Sequence, residues 1–250
     1  MSSTDLTGAT AIVTGASRGF GRGIAAALAR AGAQVAGVAR DREELARLRG
    51  ELGDSFTPVT ADAADPVTAG QLIDAYSPGI LVLNAGASPL ARPIQHQSWQ
   101  SFSRNWEIDV QHVFHWAREA LLAPLAPGSI VITVSSAAAL RGSPLSGGYA
   151  GAKATIRFIT AYAAAESERG RLGIRFASVL PQLTPATALG AAAVAAYAAR
   201  EGTDVADFLR NAGPALTPDE AGDAITGLIA NHADSHEAYL LTAAGLSPVA

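Results

Sequence analysis

A parallel, doubly wound α/β sheet follows from three features of this 250-residue chain. Seven short apolar runs alternate with longer helical stretches. The runs show little polar alternation, as expected of strands covered on both faces. A glycine-rich turn joins the first run to the first helix. Strand–helix alternation of this kind calls for parallel neighbours joined by helical crossovers, so the expectation is one α/β domain over residues 1–250 with seven parallel strands.

The first strand is ATAIVTG (9–15). It runs into TGASRGFG, Thr14 to Gly21, which opens the first helix. In that context Gly15 permits a tight turn, Gly19 lets backbone approach a pyrophosphate, and Gly21 lets the helix sit close to the sheet. The helix N-terminus offers free N–H groups to phosphates. GIAAALARAG ends at Gly32, a fitting C-cap. The second strand, AQVAGVA (33–39), leads to Arg40, and the third, SFTPVTAD (55–62), to Asp62 and Ala63. The fourth, GILVLNAG (79–86), closes on Asn84, Ala85 and Gly86; the fifth, SIVITVSS (129–136), ends in two serines. The sixth, IRFASVLP (174–181), is followed by PQLTPAT. Two helical patterns, 186–200 and 203–212, then interrupt the alternation. They suit either a cover over a site or a surface hairpin. TPDEAGDAITGLIANH (217–232) starts with a Thr cap, a Pro at the first helical position and early acids. The seventh strand is AYLLTAAG (238–245).

Composition narrows the function. At 49% hydrophobic and 16% charged the chain can bury a large core. A net charge of −4 gives no signal for nucleic acid. No apolar run is long enough to span a bilayer, and no basic leader precedes an apolar stretch, so a cytoplasmic location is expected. The absence of cysteine excludes disulfide and thiolate chemistry.

GGYAGAKAT (147–155) places Tyr149 and Lys153 four residues apart among small residues, on one face of a helix. A carbonyl that accepts hydride needs a proton at its oxygen. A free phenol ionises near pH 10, and a nearby ammonium favours its ionised form.

In TGASRGFG, NAG, the SS pair and YAGAK, with Ser136 thirteen positions before Tyr149, the chain resembles the short-chain dehydrogenase/reductases over nearly its whole length. The resemblance implies a Rossmann fold and a hydride exchanged between nicotinamide and a small carbonyl or alcohol. It implies Tyr149 as general acid/base, Lys153 on the nicotinamide ribose and Ser136 on the substrate oxygen. It assigns to the cofactor Gly15, Ser17, Arg18, Gly19, Phe20, Gly21, Arg40, Asp62, Ala63, Asn84, Ala85, Gly86, Tyr149, Lys153, Pro181, Gln182 and Thr184. Arg18 and Arg40 can pair with a 2′-phosphate, and relatives with arginines there generally use NADP, so NADPH is the expected cofactor. Arg40 has a plainer use as a surface partner of Asp41 or Glu43. Asp62 matches an adenine-contacting acid and equally suits a turn. Ser135 competes with Ser136, but neighbouring strand residues face opposite ways, and the spacing favours Ser136.

Three departures from the family stand out. Where relatives carry an asparagine that holds a relay water, this chain has Asp109, forty positions before Tyr149. An ionised Asp109 keeps acceptor oxygens, lacks N–H donors and adds negative charge near Lys153, which implies an altered pH profile; capping or kinking its helix is the structural alternative. Gln182 replaces the usual glycine after Pro181, in the loop that passes the carboxamide, where Thr184 or Thr187 can supply a hydroxyl. The end, LLTAAGLSPVA, replaces an Asp-Gly-Gly turn near a subunit contact. His96, His112, His115, His232 and His236 form no metal-ligand pattern. His112, His115 and Trp116 suit a subunit contact, and Trp99, Phe102 and Trp106 suit core or interface packing. The family suggests a homotetramer or homodimer. Ala87, Ser88, Ala138, Gly142, Gln182, Leu183 and the 186–212 insertion suggest a neutral, fairly apolar substrate. Two other functions fit the same motifs: a cofactor-binding sensor or scaffold without turnover, and a reductase of another double bond, such as an imine or an enoyl group.

Overall fold

The structure, a computed structural model, describes residues 4–231, 233 and 236–249; His232 lies outside them. One sheet carries the strands β1 (Thr10–Thr14), β2 (Gln34–Ala39), β3 (Phe56–Thr60), β4 (Ile80–Leu83), β5 (Ile130–Val134), β6 (Arg175–Pro181), β7 (Ala238–Thr242) and β8 (Gly245–Pro248). Their order is β3-β2-β1-β4-β5-β6-β7-β8. The first seven pair in parallel. The expected count of seven strands is corrected to eight, because β8 pairs antiparallel with β7, with Thr242 opposite Gly245. The run AYLLTAAG thus holds a strand, a two-residue turn and the first residue of the next strand. Gly245 takes the positive φ (106°) this return requires, and the Ala244 N–H donates to Thr242 Oγ1.

Alternation along each strand divides the core in two. Ala11 and Val13 of β1 face one side, where helices α1 (Gly19–Arg30), α2 (Arg42–Leu52) and α10 (Pro218–Ala230) contribute Ile24, Leu28, Leu45, Leu48, Ile225 and Ile229. Ile12 faces the other side, with Ala69 and Ile73 of α3 (Pro66–Tyr76), Trp116 and Ala120 of α5 (Gln111–Leu122), and Ile156 and Ala163 of α7 (Gly147–Gly170). Between β4 and α5 lie α4 (Trp99–Asn105) and a π-turn, Trp106–Val110. After β5 comes the short α6 (Ala138–Arg141); after β6 come α8 (Ala188–Glu201) and α9 (Val205–Ala212), joined by stacking of Tyr197 on Phe208 with centroids 6.4 Å apart.

The strand order reverses between β1 and β4. In open α/β sheets the crevice beyond the carboxyl ends at such a switch point is where ligands bind. Trp116 lies in the core, its indole N–H donating to the Ala63 carbonyl at 2.9 Å. Trp99 is 72% exposed and stacks on Phe102. No helix among the described residues is long and apolar enough to cross a membrane.

Candidate active site

A cleft of about 1220 Å³ opens at the switch point. Every sequence-predicted site residue borders it except Gly21, which packs beneath it. A Cβ at Gly21 would overlap the Gly15 carbonyl oxygen, and one at Gly15, where φ is +68°, would sit 2.8 Å from Asn84 Nδ2. The turn is therefore built of backbone because Asn84 already fills the space beneath. Asn84 Nδ2 donates to the Thr14 carbonyl at 3.1 Å, and Thr14 Oγ1 accepts from the N–H groups of Asn84 and Ala85. Thr14 thus ties the end of β1 to the end of β4, a role not foreseen from sequence.

Six helices begin with a side-chain cap: α2, α3, α4, α8, α9 and α10, through Asp41, Asp65, Ser98, Thr187, Asp204 and Thr217. Helix α1 has none, so its first N–H groups stay available to an anion. Arg18 and Arg40 stand at this end. Arg40 pairs with Asp62 at 3.9 Å, both largely exposed. Neither alternative partner is used, since Asp41 caps α2 by accepting from the Glu44 N–H and Glu43 reaches Arg47. Asp62 also accepts from the Ala64 N–H at 3.0 Å, as a turn residue does. A nicotinamide dinucleotide fits these residues: a glycine-based phosphate cradle, an uncapped helix end and two guanidiniums lie in one continuous cleft.

At the other end α7 presents Tyr149 and Lys153. The Lys153 ammonium lies 5.6 Å from the Tyr149 ring centroid, donates to the Val134 carbonyl at 3.1 Å and pairs with Asp109 Oδ2 at 3.4 Å. Both charged side chains are buried, 6% and 0% exposed. Close packing of this helix has a local cause: Gly148 lies against the Phe102 carbonyl, and the Trp106 indole donates to the Gly148 carbonyl at 3.2 Å. The strand β5 ends at Val134, so the two serines follow it and both border the cleft, with different partners. Ser135 Oγ donates to the Lys153 carbonyl at 2.7 Å, whereas Ser136 is half-buried on the cleft wall, accepting from the Ala138 N–H.

Asp109 sits in the π-turn, an insertion that often marks functional sites. Its Oδ1 accepts from the Ala87 N–H at 2.7 Å. Asn105, which belongs to none of the sequence motifs, donates to the Ala87 carbonyl at 2.8 Å. The expectation of His112 at a subunit contact is corrected: it is buried within the chain, borders the cleft, and neither ring nitrogen has a hydrogen-bond partner among the described residues. Burial pushes its pKa down to about 3; the Lys153 charge adds to this and the Ala85 carbonyl opposes it. The imidazole is therefore neutral.

Gln182 donates to the Pro214 carbonyl at 2.8 Å. Thr184 Oγ1 donates to the Leu216 carbonyl at 2.7 Å, and Thr187 accepts from the Gly190 N–H. Gln182 and Thr184 thus fasten the segment after β6 to the approach of α10, while Thr187 caps α8. Tyr197 of α8 hydrogen-bonds Ser143, and Ala192, Ala193 and Ala196 border the cleft from above. Among the described residues no group of three or more His, Asp or Glu is placed to hold a metal.

Sheet order, glycine turn and cleft together define a nucleotide-cleft α/β protein. The family model for short chain dehydrogenases matches residues 9–199. The chain is 30% identical to L-xylulose reductase from Cavia porcellus over 183 residues, 72% of this chain and 74% of that one. Among solved structures it superposes on a short chain dehydrogenase from Burkholderia cenocepacia J2315 in complex with NADP (TM-score 0.76, 26% identity, 90% of this chain and 91% of that one). It also superposes on 3-ketoacyl-(acyl-carrier-protein) reductase from Brucella melitensis complexed with NADH (TM-score 0.75, 26% identity, 92% and 93%). The chain belongs to the short-chain dehydrogenase family, whose members are NAD(P)-dependent oxidoreductases.

Proposed function

We propose that this chain is an NADP(H)-dependent oxidoreductase that interconverts a small carbonyl compound and its alcohol, with Tyr149 giving and taking the proton. The carrying observation is the Lys153 ammonium, held beside the Tyr149 ring by the Val134 carbonyl and Asp109 on the wall of the cleft. When bound, a nicotinamide dinucleotide supplies or accepts the hydride. The chain's own residues manage the oxygen and its proton. Ser136 has a free O–H to donate to the substrate oxygen, and the Tyr149 phenol delivers the proton in reduction and removes it in oxidation. Ser135 fixes the backbone of Lys153 and so the aim of its side chain.

Arg18 and Arg40 support NADP over NAD, since two guanidiniums match a 2′-phosphate. The named relatives do not decide this, one neighbour holding NADP and another NADH. The alanines of α8 favour an apolar, uncharged substrate, and L-xylulose reductase shows a relative acting on a small carbonyl compound. Exposed Phe114, Phe158 and Tyr162 on α5 and α7 suit assembly into a homodimer or homotetramer. A second reading, cofactor binding without turnover, is favoured by one contact: Asp109 draws on the same Lys153 charge that Tyr149 needs.

The test is a ketone panel against an imine panel with NADPH, for wild type and Tyr149→Phe, beside fluorescence titration of NADPH. The expected result is ketone turnover that falls at least about a hundredfold in the variant with NADPH affinity kept. Cofactor binding without turnover of any substrate would establish the second reading, and imine turnover alone would change the substrate class.

A further inference from the structure

Ala87 lies in the segment that follows β4 and borders the cleft. Both of its backbone groups are taken by side chains. Its N–H donates to Asp109 Oδ1 at 2.7 Å, and its carbonyl accepts from Asn105 Nδ2 at 2.8 Å. The same Nδ2 lies 3.5 Å from Asp109 Oδ2, the oxygen that pairs with Lys153 at 3.4 Å. All three side chains are buried. The segment is pressed against them, since a Cβ added at Gly86 would lie 2.9 Å from Asp109 Oδ2.

Holding both groups of Ala87 takes one acceptor and one donor. A single amide side chain has both; a carboxylate has only acceptors. Aspartate at 109 therefore leaves the Ala87 carbonyl without a donor, and a buried carbonyl is costly to leave unpaired. Asn105 stands one turn earlier, at the entry to the π-turn, and provides it. Oδ2 of Asp109 is thereby free to face Lys153 in place of Ala87.

We infer that Asn105 is a positioning residue: it completes the clamp on Ala87 that Asp109 cannot make alone, and so assigns the second carboxylate oxygen of Asp109 to Lys153. The inference rests on the proposed function for its catalytic consequence, but not for the clamp. The charged group beside Tyr149 is Lys153 from α7, which pairs with Asp109 of the π-turn; Arg141 of α6 borders the same cleft, and His112 on α5 is neutral.

A double-mutant cycle on the full chain separates the two. Thermal melts are recorded for wild type, Asn105→Ala, Asp109→Asn and the double variant. Asn105→Ala is expected to lower the Tm by about 3–10 °C, the effect of one unmade buried hydrogen bond in a chain of this size, and Asp109→Asn by about 6–20 °C, because it strands the buried Lys153 charge. The double variant should melt no lower than the worse single, because asparagine at 109 can accept from and donate to Ala87 at once. Losses that simply add would overturn the inference. If Asn105→Ala does not fold, a folded double variant supports the clamp and an unfolded one overturns it; Asn105→Ser gives a milder truncation for the same cycle.

The second readout is the pH–rate profile with NADPH and a ketone. Asn105→Ala should move its break to higher pH, since Asp109 Oδ2 then loses its contact with Asn105 Nδ2 and faces Lys153 alone. Asp109→Asn should move it to lower pH. A break left in place by Asn105→Ala would make that residue purely structural and overturn its positioning role. Absence of turnover in every protein, wild type included, would sink the functional reading while the melts still decide the clamp.

Discussion

The cleft carries an ion pair at each end, and the two are built on opposite principles. Lys153 and Asp109 meet at 3.4 Å with almost no solvent contact, each further fixed by hydrogen bonds to backbone groups. Arg40 and Asp62 meet at 3.9 Å with side chains 75% and 53% exposed. A buried pair cannot lose one member without stranding a charge. An exposed pair is nearly neutral in energy and exchanges partners readily. The first kind suits a charge that must remain in place through every turnover. The second suits a guanidinium kept ready for an incoming phosphate.

The sharpest way to break this contrast is Lys153→Met, which keeps much of the side-chain bulk and leaves Asp109 buried without its partner. A loss of about 3–5 kcal/mol is expected, read as a fall in Tm of about 6–20 °C. A melt like that of wild type would mean that Asp109 takes up a proton or that water reaches it, and the two ends would then differ less than their burial implies. An intermediate effect belongs to His112, beside the buried pair. Its folded pKa, about 3, lies below the ordinary 6.5. Between these values the unfolded chain binds a proton that the folded chain refuses, so stability is full above pH 6.5 and is lost as pH falls towards 3. The expected slope is at most about 1.4 kcal/mol per pH unit. In acid melts His112→Asn should flatten that slope; an unchanged slope would remove His112 as its source. The smallest effect on stability is expected at the exposed end. Arg40→Ala should leave the melt within about 0.5 kcal/mol of wild type. Its signature is in binding: NADPH affinity should weaken by about tenfold or more, the loss of a charge-assisted hydrogen bond, with NADH unaffected. Equal loss for both cofactors would place Arg40 away from the 2′-phosphate.

These two ends were also unequally legible in the sequence. The motifs are local in the chain, and the sheet order brings Gly15, Asn84, Ser136 and Tyr149 to one cleft. Asp109 could be singled out because it stands where the family carries an asparagine, forty residues before Tyr149. Its consequences could not, because they depend on the π-turn, which no propensity announces and which brings Asn105 and Asp109 onto the backbone of Ala87. His112 looked like one more residue on a helix face until its burial and missing partners were visible. For Arg40 the nearest acids in sequence were the natural candidates, yet Asp41 was committed to capping α2, so the partner came from the next strand over. The eighth strand stayed hidden because AYLLTAAG folds back within itself over two alanines.

The π-turn has one more consequence. A helix advances about 100° per residue, so one residue added to or removed from a turn swings everything beyond it through roughly that angle. At the start of the π-turn, Asn105 and Trp106 are aimed at Ala87 and α7; after it, Val113, Trp116 and Ala120 are aimed into the core. Residues 106–110 therefore act as a fixed-length spacer. Substitutions there leave the register of the helix intact, but a single-codon deletion or insertion would turn Trp116 away from its seat or lift Asp109 off Lys153. Among homologues, this stretch should vary in its letters and hardly ever in its length, unlike the surface loops around it.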